Sequence, residues 1–112
     1  MTQSREDLVN RALRNNGALP TGQAAAPEDY DVVDEMLEPV MSDLATRNIW
    51  QWGDPDQIDD DAFEHLAVLL ANATAPDFGR QKDDQVRLNA EARLRALNQT
   101  FLSGQPQQTD YF

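Results

Sequence analysis

The chain has 112 residues, no cysteine, 20 carboxylates against nine lysines and arginines, and a formal net charge of −11. That length suits one domain able to bury a modest core without a metal, and the missing cysteines exclude a disulfide scaffold or a Cys-type zinc site. The charge argues against a nucleic-acid grip, which depends on basic side chains neutralising phosphates.

In chain order, Ser4 and Asp7 have the spacing of a capping box, and Leu8, Val9, Ala12 and Leu13 form an apolar stripe behind it. A first helix over about residues 5–16 is expected, stopped by Gly17, followed by a loop whose Leu19 tucks against the bundle. Pro27 suits the first turn of a second helix because its missing N–H costs nothing there, and Glu28, Asp29 and Asp31 favour the positive end of the helix dipole. Tyr30, Val33, Leu37, Val40 or Met41, and Leu44 carry the helical period to about Arg47. Pro39 lies within that pattern and predicts a kink near Glu35–Glu38.

The stretch Asn48–Asp56 is too short and broken for a helix; in an extended chain its Trp50 and Trp52 point the same way, as a lid on the bundle or an anchor for a partner. Ile58–Gly79 is the densest apolar stretch and reads as the buried central helix, capped by Asp59 and Asp60 and stopped by Pro76. Phe63, Leu66, Ala67, Leu70 and Ala73 or Thr74 form its main face, and Phe78 belongs to the core. Asp83 starts a last helix with Val86, Ala90, Leu94, Leu97 and Phe101 inward, ended by Gly104. The fold expected is all-α: a small four-helix bundle over residues 1–104 with a flexible C-terminal arm, 105–112. The opening MTQSREDL has no apolar segment and the longest apolar run, Leu66–Ala71, is six residues, so neither a signal peptide nor a membrane span is expected.

Charge is unevenly placed. Between Glu28 and Glu64 there are thirteen carboxylates and one base, Arg47, whereas Arg80, Lys82, Arg87, Arg93 and Arg95 gather around the last helix. These bases are expected to pair with the acidic second helix or with a neighbouring chain, and Arg87, Arg93 and Arg95, with Trp50 and Trp52, are the candidate inter-subunit or tail contacts.

No catalytic pattern emerges. Counted from Asp54, an EF-hand loop would need an oxygen side chain, Gly and Glu where this chain has Ile58, Asp59 and His65, so no metal site is expected. His65 lacks a second histidine and reads as an exposed helix residue. There is no phosphate loop, nucleophile elbow or Cys/His constellation. No cofactor and no enzymatic activity are expected.

Taken in order, DLVNRALRNNGAL at Asp7–Leu19, PEDYDVVDEMLEPVMSDLATRNIW at Pro27–Trp50, IDDDAF at Ile58–Phe63, LAVLLANATAPDFG at Leu66–Gly79 and AEARLRALN at Ala90–Asn98 resemble the head-to-tail adaptor (connector) proteins of tailed bacteriophages. That group includes the packaged-DNA stabilisation proteins of short-tailed phages. The resemblance implies a non-enzymatic structural protein of the virion neck, made in the host cytoplasm and assembled as a ring of about twelve copies beneath the portal protein. Such a ring carries the next tail or nozzle protein and helps retain packaged DNA, which passes through without specific binding and without a membrane. It also implies that the arm, Gln105, Pro106, Gln107, Gln108, Thr109, Asp110, Tyr111 and Phe112, binds the portal. The chain is shorter than the larger members, with no room for an inserted domain between Trp50 and Ile58. The competing reading is an acidic helical interaction module, a DNA mimic or antitoxin-like regulator.

Overall fold

Ser4 opens the first helix as its spacing to Asp7 predicts. In a computed structural model of the chain, which describes residues 2–17, 26–51, 53–54 and 56–103, the last five by backbone alone, the Asp7 N–H donates to Ser4 Oγ and the Ser4 N–H to Asp7 Oδ2, both at 3.1 Å. Helix α1, Arg5–Asn15, follows, with Leu8, Val9, Ala12 and Leu13 fully buried. Gly17 ends it at φ 73°, a left-handed conformation that a side chain resists.

Helix α2, Pro27–Thr46, has Pro27 in its first turn and buries Val33, Leu37, Met41 and Leu44. Pro39, where the sequence predicts a kink, lies inside the helix, which runs continuously from Pro27 to Thr46. Pro39 is on the exposed side, so the carbonyl of Glu35, deprived of its N–H partner, is open to water. The far end closes in a Schellman turn. Asn48 adopts φ 58°, its N–H donates to the carbonyl of Ala45, and that of Ile49 donates to Leu44 at 2.9 Å. Buried Ile49 and Leu44 supply the apolar contact that accompanies this motif.

Helix α3, Asp60–Thr74, is the hub on which α1, α2 and α4 all pack. Leu66, Ala67, Leu69, Leu70, Ala71 and Thr74 are buried, Phe63 and Val68 half-buried, and the small alanines let neighbouring helices approach closely. The caps expected of Asp59 and Asp60 are not made as side-chain bonds. A two-residue antiparallel ribbon, β1 (Thr2–Gln3) with β2 (Ile58–Asp59), holds Asp59 opposite Thr2, and Asp60 accepts from Gln3 Nε2 at 3.3 Å. These carboxylates therefore serve the helix through its dipole. Since β1 leads into α1 and β2 into α3, the two helices start together. They also finish together, where buried Asn16 donates Nδ2–H to Thr74 Oγ1 at 3.2 Å.

A 3-10 turn, Ala75–Phe78, ends at Gly79 (φ 75°), and the chain doubles back into helix α4, Asp84–Ser103. Asn72 on α3 accepts the Asp83 N–H at 2.7 Å, and Asp83 Oδ1 accepts from Gln85 and Val86 in the first turn. Ala90 and Leu94 are buried, and Leu97 and Phe78 pack partly buried against the core. Val86, expected inward, is 40% exposed. It sits in the first turn of a helix that leans mainly on one neighbour, so only a narrow face of α4 is covered. The all-α four-helix architecture is as expected, with the ribbon added. Leu19, the side chain of Phe101, Gly104 and the arm 105–112 lie outside the described residues.

Candidate functional site

Helices α2 and α4 scarcely pack on each other, and between them, over α3, lies a groove of about 410 Å³. Its apolar lining comes from Met36, Val40, Leu44, Leu69 and Ala73. One end is closed by charge. Arg47, the C-cap residue of α2, donates from Nη1 and Nη2 to the two carboxylate oxygens of Glu91 on α4 at 3.2 and 2.7 Å, and to Asp43 at 2.6 Å. Arg87 donates to the same Glu91 one helical turn away, at 3.2 Å.

The side chain of Glu91 is only 4% exposed. Its bonds to Arg47, and then to Arg87, hold its carboxyl below the usual carboxylate range against the opposing effect of burial. The same bonds hold the Arg47 guanidinium more firmly protonated than usual. Every acceptor edge of Glu91 faces an arginine, which suits a strut between helices better than a proton-transfer group. The groove offers shape and an apolar floor to a partner side chain. Among the described residues no group of three or more His, Cys, Asp or Glu is placed to hold a metal ion, and no helix is long and apolar enough to cross a membrane.

The bases around α4 do not pair with the carboxylates of α2 among the described residues. Asp34 and Glu38 of α2 are taken by Arg5 of α1, both at 2.9 Å, and the link from α2 to α4 runs in the opposite sense, from Arg47 to Glu91. Proximity explains this: α1 packs along α2, whereas α4 packs mainly on α3. Arg11 of α1 similarly reaches Glu64 of α3 at 2.9 Å.

The sequence-derived candidates therefore separate. Arg87 is spent on Glu91 and on Asp84, while Arg93 and Arg95 are exposed and make no ion pair among the described residues. Trp50 packs half-buried against the core, and its indole Nε1 is buried with no hydrogen-bond partner among the described residues. Trp52 and Gln105–Phe112 lie outside the described residues. His65 is half-buried, not exposed. Arg47 and Glu91 were not singled out by sequence; the i,i+4 pairs Asp43–Arg47 and Arg87–Glu91 are legible there, but the contact joining them spans 44 positions. Comparison of the chain with protein-family models, with characterised proteins and with solved structures gives no match.

Proposed function

We propose that this protein is a bacteriophage head-to-tail adaptor: a structural, non-enzymatic neck component that forms a ring beneath the portal, joins it to the next tail or nozzle protein and helps retain packaged DNA. The reading rests on the ordered resemblance of five segments between Asp7 and Asn98. The observation that best supports it is how charge is used. Four arginines, Arg5, Arg11, Arg47 and Arg87, are consumed in ion pairs within the fold, which leaves an exterior on which carboxylates prevail. A channel that must pass DNA without holding it is served by such a surface, because phosphates are repelled.

In this reading Gln105–Phe112 lodges on the portal, and assembly follows from many weak contacts repeated around a ring. The test is removal of those eight residues. The shortened chain should keep its helical signal and melting behaviour and lose binding to the portal, while the intact chain is a monomer or small oligomer that closes into a ring only on the portal. Undiminished portal binding by the shortened chain would sink the arm assignment. Arm-independent, salt-sensitive binding to a basic protein would support the acidic interaction module instead.

A further inference from the structure

Among the described residues nothing packs on the outer half of helix α4. At about 100° per residue, Ala90, Glu91, Leu94 and Leu97 face inward, and Leu88, Ala92, Ala96 and Asn89 span the opposite half, with Arg95 on one border and Arg93 near the other. Leu88 is 50% exposed. From Gln85 to Asn98 the only carboxylate is Glu91, which is buried, so this outer face is a shallow trough of small and apolar side chains flanked by two uncommitted arginines.

Helix α2 carries the opposite relief. Glu28, Asp31, Glu35, Glu38 and Ser42 recur at steps of 3, 4, 3 and 4, all are exposed, and α2 holds no Lys or Arg from Pro27 to Thr46. They form one narrow acidic ridge along the outside of the helix. Among the described residues only Glu38 is engaged within the fold, by Arg5.

We infer that the outer face of α4 is a docking surface for a second copy of this chain, receiving the acidic α2 ridge of that copy between Arg93 and Arg95. The inference rests on the ring reading above and gives that ring its interface. Charge complementarity selects the occupant, because the trough lacks exposed acid and helix α2 itself carries no base. The alanines at 92 and 96 allow a helix to approach closely, and burying Leu88 supplies apolar area that ion pairs on a wet surface do not. Because ridge and trough are different surfaces of one chain, the contact is heterologous: each copy offers one of each, so copies add head to tail and close if the rotation permits.

The chain's lack of cysteine makes the contact directly testable. Glu35→Cys and Ala92→Cys chains are mixed with a short bismaleimide. The expected product is a covalent heterodimer, at least five-fold more abundant than the product of either variant alone. Adding Arg93→Glu and Arg95→Glu to the Ala92→Cys chain should abolish it, and adding Glu28→Lys and Asp31→Lys to the other chain should restore it. Cross-linking by a single variant as efficient as by the mixture, or a mixture no better than one with Gln51→Cys in place of Glu35→Cys, would overturn the inference. Portal docking is scored separately. The Arg93→Glu/Arg95→Glu chain should still bind the portal but leave rings incomplete; complete rings overturn the interface, whereas failure of the unaltered chain to bind a portal overturns the adaptor reading and leaves the cross-linking result standing.

Discussion

Replacing Arg47 with Met should loosen α2 from α4 by removing the stronger of the two arginines that hold Glu91. The Glu91 side chain, 4% exposed, would be left with Arg87 alone, whose Nη1 lies 3.2 and 3.3 Å from its two oxygens. Stripping a partner from a fully buried pair costs about 3–5 kcal/mol. Here Arg47 and Arg87 are each 38% exposed, so water reaches the site, and one cation stays in place. A loss of about 1.5–2 kcal/mol is expected on those grounds, with the exposed Asp43 contact adding only a few tenths. Glu91→Gln should cost about 1 kcal/mol, and the double variant less than the sum of the two, with a coupling of about 1 kcal/mol. Urea unfolding of the four proteins at neutral pH measures this cycle. Acid sharpens it. Because the folded-state pKa of Glu91 is depressed, its stabilisation is complete above the unfolded-state value of about 4.3 and is lost as pH falls through the lower folded-state value. Stability should therefore fall less steeply below about pH 4.3 in Glu91→Gln than in the unaltered chain. A coupling indistinguishable from zero would refute the claim that this bridge joins the two helices.

Two further substitutions probe the fold. Asn48→Val should cost about 1–2 kcal/mol, because a β-branched residue resists the φ of 58° that the turn after α2 imposes, whereas Asn48→Gly should be neutral or slightly stabilising; equal effects in a thermal melt would contradict the Schellman assignment. Leu70→Ala, at a fully buried position of the hub helix, should cost about 2–5 kcal/mol, and a melting temperature unchanged from that of the parent would show that α3 is not the centre of the core.

Sequence spacing revealed what a single segment decides by itself. The Ser4/Asp7 box, Pro27 in the first turn of α2, Pro76 and Gly79 after α3 and Asp83 before α4 are local devices, and each ends or begins a helix where its chemistry requires. What depends on distant partners was hidden. The ribbon pairs two residues with two others far along the chain, too few for any periodicity to register. Val86 has the right spacing to face inward, but α4 offers only a narrow face to its neighbour and leaves that side chain outside. The pairing of bases with acids was foreseeable as a tendency; that Arg5, and not the α4 cluster, would meet Asp34 and Glu38 follows from which helices lie side by side. The candidate surface was legible as a cluster of arginines, while its division into spent Arg87 and uncommitted Arg93 and Arg95 required the packing.

The position of α3 has a consequence for how the protein is made. A nascent chain that has emerged only as far as Gln51 contains α1 and α2 complete, yet lacks the element on which both lean and the strand that would fasten Thr2 and Gln3. Its apolar stripes have at that stage only each other, so durable structure must await the translation of residues 58–74. Genetic truncations ending before Ile58 should accordingly yield protease-sensitive polypeptide, and the first lasting protection during synthesis should appear once Thr74 has cleared the ribosome.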